Sequence, residues 1–123
     1  MGYRSEVAIA IHKDVHGEFL TFLNTEELMR EVFTSGWFQL EKDFQGKGHW
    51  LFQQDSIKWH YGYPSDYPEV DMFERFFSQM DEEPETIEKY RFVRVGESSD
   101  DLEERGQWYD SDLWVERKIV VGW

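Results

Sequence analysis

The chain of 123 residues contains no cysteine, which excludes disulfide bonds, thiolate zinc sites and a cysteine nucleophile. It also lacks any apolar run near the roughly 18 residues that a membrane span needs. Its first residues, MGYRSEVAIAIHKD, carry no signal-peptide pattern. A hydrophobic content of 40% with 18% aromatics argues against disorder. We therefore expect one folded, soluble domain over residues 1–123, located in the cytoplasm and without a membrane partner.

Basic residues are scarce. The sequence has 13 Lys and Arg against 26 Asp and Glu, a net charge of −13. Residues 66–112 alone carry sixteen acids and five bases, a net −11. Direct binding to nucleic acid is not expected, because phosphate contacts need a basic surface. Such acidity suits a basic partner protein, or serves solubility alone.

Motifs of catalysis and metal binding are also missing. The chain has no GxSxG, P-loop or HExxH pattern, and GKG at 46–48 is typical of a hairpin turn. His12 and His16 are four residues apart with Asp14 between them, a spacing that would bring metal ligands together on a helix. His12, however, closes a predicted strand, so that helical geometry fails. We predict no catalytic residue, no metal and no cofactor.

Periodicity predicts an α+β fold. Alternating apolar residues indicate strands at 3–12, 37–44, 49–54, 90–95 and 113–121. Helical spacing with capping signals indicates helices at 14–24, 24–36 and 69–80. This order predicts one antiparallel or mixed sheet of five or six strands with two main helices on one face. Whether residues 49–61 form one bulged strand or two strands stays open.

The prediction also covers one strand face and one long connection. Within the strand at 37–44, Phe38, Leu40 and Phe44 are expected on one face. Residues 96–112 are expected to form a long acidic connection between two strands.

Several aromatic residues fall outside the predicted helices and strands. Helix burial explains Val70, Phe73, Phe76 and Phe77. It does not explain Tyr61, Tyr63 and Tyr67 in a proline-containing loop, or Trp108 and Tyr109 in the acidic connection. Because Tyr and Trp in surface loops beside carboxylates are typical of binding hot spots, we predict that these five residues contact a partner. The alternative is that the rings fold back over the sheet edge as a small satellite core.

The acidic connection suggests a sharper hypothesis. Spaced carboxylates can imitate DNA phosphates, which lie about 1.7 Å apart along the duplex axis. The candidates are Glu97, Asp100, Asp101, Glu103, Glu104, Asp110 and Asp112, with Glu82, Glu83 and Glu85 as further members. The alternative is a solvated acidic loop.

Three segments carry a resemblance: MGYRSEVAIAI, IKWHYGYPSDYPEVDMFERFF, and FVRVGESSDDLEERG with LWVERKIVV. In them the chain resembles small acidic proteins of tailed bacteriophages, over most of its length. The resemblance transfers no site residues. It implies a context, because similar phage proteins are often inhibitors of host defence, including anti-CRISPR proteins.

We therefore predict a non-enzymatic phage protein that acts in the host-cell cytoplasm. It would bind and inhibit a host protein with a basic surface, a nucleic-acid-handling defence factor, with DNA mimicry as one mode. One alternative is a binder or sponge for a nucleotide-like ligand. That function would require a basic cluster of Arg91, Arg94, Arg105, Arg117 and Lys118 in one pocket. The other alternative is an enzyme with an unrecognised site.

Overall fold

The computed structural model describes residues 5–23, 25–59, 68–96, 101–111 and 113. Five strands form one sheet: β1 (Ser5–Ile11), β2 (Gln39–Phe44), β3 (His49–Ile57), β4 (Tyr90–Val95) and β5 (Leu102–Arg105). Their order across the sheet is β2-β3-β1-β4-β5, and every neighbouring pair is antiparallel. The predicted α+β class, with an antiparallel sheet of five strands, is confirmed.

Helices connect these strands. They are α1 (His16–Phe22), α2 (Glu26–Phe33), α3 (Pro68–Asp81) and α4 (Pro84–Ile87), with single 3-10 turns at Lys13–Val15 and Tyr109–Ser111. Helix α2 begins where predicted, because the Thr25 hydroxyl accepts a hydrogen bond from the Leu28 N–H at 3.1 Å. In the part of the chain described, no helix is long and apolar enough to cross a membrane.

The main core lies between the helices and one face of the sheet. The alternation of β1 directs Val7, Ile9 and Ile11 into it, where they meet fully buried Phe73 and Phe77 of α3. Ala8 and Ala10 of β1 lie on the opposite side, which we call the open face because the main helical core does not cover it. Both the strand alternation and the apolar stripe of α3 are as predicted.

Two irregularities in strand register decide which residues face the core. Between β1 and β3, Val7 pairs with Gln54 while Ser5 pairs with Ile57, so β3 continues to Ile57 past a bulge. Residues 49–57 are thus one bulged strand, and residues 60 and 61 lie outside the described residues. A second register shift, between Glu41 and Phe44, places Phe44 against the open-face cluster. The prediction that Phe44 shares a face with Phe38 and Leu40 is therefore wrong.

Strand β5 was not predicted, because its sequence LEER lies within the expected acidic connection. It pairs with β4, with Phe92 opposite Arg105 and Val95 opposite Leu102. The acidic connection of 96–112 is therefore partly a strand, and that prediction is wrong. Of the strand predicted at 113–121, only Leu113 is described, and it has no strand structure.

Candidate functional site

Carboxylates near β5 pair with arginines of β4. Arg94 contacts Asp101 at 2.8 Å and Glu103 at 3.3 Å, and Arg91 contacts Glu104. The arginine side chains are only 16% and 8% exposed, respectively. A hydrogen bond from Arg94 holds the pKa of the Asp101 carboxyl below its usual value. These three carboxylates are therefore intramolecular ion-pair partners, which differs both from free phosphate-like charges and from the alternative of a solvated loop.

A second ion-pair network joins β5 to α3. Arg105 contacts Asp81 at 3.0 Å and also Glu74, which is buried. The indole Nε1–H of Trp59 donates a second hydrogen bond to Glu74, at 2.8 Å. Burial raises the pKa of the Glu74 carboxyl. This network ties the edge of the sheet to the helical layer.

The described arginines that a nucleotide-like ligand would require are thus each paired with carboxylates of the protein itself. Arg91, Arg94 and Arg105 contact three different sets of carboxylates, and Arg117 and Lys118 lie outside the described residues. Arg91 and Arg105 line one groove, but each is paired with a carboxylate, and Arg94 is not in its lining. The geometry gives no support to a nucleotide site at this position.

Other carboxylates have no such partners. Residues 82–88 connect α3 to β4, and we call them the acidic turn. Its four exposed carboxylates are Glu82, Glu83, Glu85 and Glu88. Within the described ranges none of the four forms an ion pair, so their charge faces solvent. Glu88 was not among the predicted site residues, although the sequence EEPETIE already shows the density of carboxylates.

The acidic turn borders a groove. This cavity of about 470 Å³ is lined by Asp81, Ile87, Arg91, Glu104, Arg105, Gly106, Gln107 and Tyr109, and we call it the Tyr109 groove. The Gln107 N–H donates to the Ile87 carbonyl oxygen at 2.8 Å, which fixes the turn against the chain that follows β5. Tyr109 is 67% exposed, and the Arg91 guanidinium lies 5.2 Å from its ring centre. An exposed aromatic ring thus shares a groove with a half-buried aliphatic side chain of the acidic turn.

The predicted partner-binding residues are only partly brought together. Tyr109 and Glu104 line the groove, whereas Asp101 and Glu103 lie near the other end of β4 with Arg94. Asp110 and Trp108 line a different cavity. The other six predicted positions, Tyr61, Tyr63, Tyr67, Glu97, Asp100 and Asp112, lie outside the described residues. Sequence reasoning missed Ile87 and Gln107. Gln107 lies two residues before Tyr109, and its hydrogen bond to the Ile87 carbonyl oxygen brings the distant Ile87 into the same groove.

Trp108 is buried, which corrects the expectation of an exposed ring. Its side chain packs on the open face with Ala10, Leu51 and Phe44, and the residue is 7% exposed. Gly106, with φ +84°, lets the chain cross the end of β4, where an added Cβ would collide with the Tyr90 carbonyl oxygen. For Trp108 the satellite core is the correct alternative.

Trp108 also lines a second cavity. This space of about 580 Å³ is lined by His12, Lys13, Gln45, Lys47, His49, Trp108 and Asp110, and we call it the His–Trp pocket. The rings of His12 and His49 lie 4.2 Å apart between centroids. Burial, with Lys89 nearby, lowers the pKa of His12 to about 4, which is unsuited to acid–base catalysis near neutral pH.

The two histidines with metal-like spacing are not brought together as a chelating pair. His12 lines the His–Trp pocket, whereas His16 stacks on Trp50 at 3.5 Å between ring centroids. Across the described segments, no group of three or more His, Asp or Glu residues is arranged to hold a metal ion. No protein-family model, curated protein or solved structure matches the chain.

Proposed function

We propose that the protein is a non-enzymatic binding protein that docks on a basic surface of a bacterial host protein and inhibits it. The contact surface is the Tyr109 groove together with the acidic turn. One observation carries the proposal: a 67% exposed Tyr109 lines one groove with Ile87, and Ile87 belongs to the acidic turn, whose four carboxylates have no ion-pair partner in the described structure.

The composition of this surface fits a protein interface. Interfaces combine an aromatic anchor and some apolar area with a polar rim. Tyr109 supplies the ring, Ile87 supplies aliphatic surface, and Glu85 and Glu88 flank Ile87 in the sequence of the turn. Tyr109 would provide the desolvated contact that charge alone cannot give.

The unpaired acids would act mainly on association. Negative charge accelerates encounter with a basic partner, and salt screens it with a Debye length of about 8 Å at physiological ionic strength. With a net charge of −13, the whole chain adds to this field. Association should therefore slow clearly as salt is raised.

Fewer carboxylates are available for DNA mimicry than the sequence indicated. Asp101, Glu103 and Glu104 are engaged by arginines, so among the described candidates the unpaired carboxylates are those of the acidic turn and Asp110. A host protein that handles nucleic acid would still offer the basic surface required. The phage origin and the anti-defence role depend on the sequence resemblance alone.

The first experiment is affinity capture from bacterial lysate with wild type and Tyr109→Ala, followed by mass spectrometry. Leu20→Ala is the matched control, because Leu20 is also an exposed apolar residue but lies on α1. We expect one basic host protein to be captured by wild type and the control and depleted with Tyr109→Ala.

Surface plasmon resonance on that protein then tests the contact. A hot-spot tyrosine should cost at least roughly 2 kcal/mol of binding, mainly through faster dissociation. An inhibition assay of the captured protein's own activity tests the functional step. Unchanged binding by Tyr109→Ala, or binding without inhibition, would refute the proposal.

A further inference from the structure

Two histidines line the His–Trp pocket, and their hydrogen bonds indicate which ring nitrogen carries the proton. The backbone N–H of Lys13 donates to His49 Nδ1, and that of Asp14 donates to His12 Nδ1, both at 3.0 Å. A neutral imidazole that accepts at Nδ1 carries its proton on Nε2. Neither Nε2 has a hydrogen-bond partner among the described residues, and neither is among the unpartnered atoms sealed from solvent. Both rings therefore offer a free N–H group.

Two lysines line the pocket together with these imidazole donors. Lys13 and Lys47 line the pocket, and neither forms an ion pair within the described residues. The nearby Asp14 is already paired with Lys89 at 3.2 Å, which leaves Asp110 as the acid that lines the cavity. The lining of the pocket thus carries two ammonium groups and one carboxylate, in a strongly acidic protein.

The indole does not offer a stacking face. Trp108 is 7% exposed, and the rings of His49 and Phe44 approach it edge-on, with centroids at 4.7 and 6.2 Å. A nucleobase would need an open aromatic face. The pocket chemistry therefore favours an anion held by N–H groups and ammonium groups over a stacked base.

We propose that the His–Trp pocket binds a small phosphomonoester that carries hydroxyl groups. The phosphate oxygens accept from the Nε2–H groups of His12 and His49 and from the ammonium groups of Lys13 and Lys47. The Asp110 carboxylate accepts a hydrogen bond from a hydroxyl of the same ligand. A volume of about 580 Å³ suits a ligand of phosphorylated-sugar size, larger than phosphate itself.

This assignment is tested by isothermal titration calorimetry of the full chain with ribose 5-phosphate, inorganic phosphate and ribose. We expect saturable binding of ribose 5-phosphate, weaker binding of inorganic phosphate and no binding of ribose. No saturable heat with ribose 5-phosphate, or equal binding of ribose, would overturn the proposal. Inorganic phosphate binding as tightly as the ester would overturn the hydroxyl contact at Asp110.

Two variants remove donors from the pocket. Lys47→Gln removes a charge from an exposed side chain. His49→Asn keeps an acceptor near the Nδ1 position for the Lys13 N–H and removes the Nε2–H donor. Each should weaken ribose 5-phosphate binding roughly tenfold. Lys42→Gln, an exposed lysine of β2 that does not line the pocket, should leave affinity unchanged; an equal loss with this control would refute a local site.

Nuclear magnetic resonance provides a readout that is independent of any folding defect in the variants. In wild type, the imidazole nitrogen resonances of His12 and His49 should shift on addition of ribose 5-phosphate. Those of His16, which stacks on Trp50 and does not line the pocket, should stay in place. Equal shifts at all three histidines, or none at His12 and His49, would contradict the proposal.

Discussion

Two acidic regions of this chain look alike in sequence and differ in structure. Residues 101–105 read DLEER, and the acidic turn at 82–88 reads EEPETIE. In the first region the carboxylates contact Arg91 and Arg94 of β4, whose side chains are nearly buried. In the second, Glu82, Glu83, Glu85 and Glu88 are exposed without an ion pair among the described residues.

The difference comes from the neighbours that each backbone segment acquires. Strand β5 lies against β4, which presents Arg91 on one face and Arg94 on the other, so acids on both faces meet a cation. The acidic turn is not part of the sheet, and none of its four carboxylates meets a cation among the described residues. At β5, the net charge counted from the sequence therefore overstates the charge that a partner could contact. At the acidic turn, the counted charge and the available charge agree.

The largest loss of stability is expected on replacement of Glu74, the most buried of the carboxylates that pair with an arginine. Glu74→Ala leaves Arg105 and the Trp59 indole N–H without their partner at the core edge. Breaking a buried pair in this way should lower the free energy of unfolding by about 3–5 kcal/mol. Chemical denaturation measures this loss. A loss below about 1 kcal/mol would mean that Asp81 alone satisfies Arg105 and that the pairing is not structural.

A smaller loss of stability is expected on replacement of Glu104. Its arginine partner, Arg91, also donates to the carbonyl oxygens of Gly106 and Leu113, both at 3.0 Å, so removal of the acid leaves Arg91 partly satisfied. Glu104→Ala should cost about 1–3 kcal/mol in the free energy of unfolding. Glu85→Ala in the acidic turn is the matched control and should change stability little. Equal effects at Glu104 and Glu85 would erase the distinction between the two regions.

Local patterns in the sequence predicted most of the fold. The alternation of β1, the apolar stripe of α3 and the Thr25 cap each depend on residues within a few positions, and all are present in the structure. Strand β5 has no such local signal, because what makes LEER a strand is pairing with β4 and its arginines.

The candidate site was harder to predict for the same physical reason. Trp108 and Tyr109 are adjacent in sequence, yet one ring packs on the open face and the other projects to solvent. The direction of each depends on Gly106 crossing β4 and on His49 lying beneath the indole. The His49–Trp108 contact joins segments about 60 residues apart, the Gly106 crossing joins it to Tyr90 of the preceding strand, and no periodicity within these segments reports either contact.

The paired region should also show a distinct pH dependence. Arg94 lowers the folded-state pKa of Asp101 below the usual 3.8, so this ion pair stabilises the fold above that pH and is lost as pH falls through the folded pKa. The stability difference between wild type and Asp101→Asn should therefore shrink as pH falls from roughly 5 towards 2. Denaturation at several pH values measures it, and Glu85→Gln controls for the general loss of one charge. A difference that stays constant over this range would argue against the ion pair with Arg94.

The smallest effect on stability is expected when all four carboxylates of the acidic turn, at positions 82, 83, 85 and 88, are replaced by Gln. Exposed side chains without partners contribute little, and relief of mutual repulsion favours the fold, so the free energy of unfolding should stay within about 0.5 kcal/mol of wild type.

The binding of the same variant should change much more, because these charges are free to act on a partner. Association with the captured host protein should slow and lose most of its salt dependence, while dissociation changes little. The control removes an equal charge elsewhere, with Gln at Glu18, Glu26, Glu27 and Glu41, which are exposed on α1, α2 and β2. If both variants slow association equally, the net charge of the chain steers the encounter and the acidic turn has no special role. If only the acidic-turn variant does so, the unpaired carboxylates of the acidic turn form part of the recognition surface.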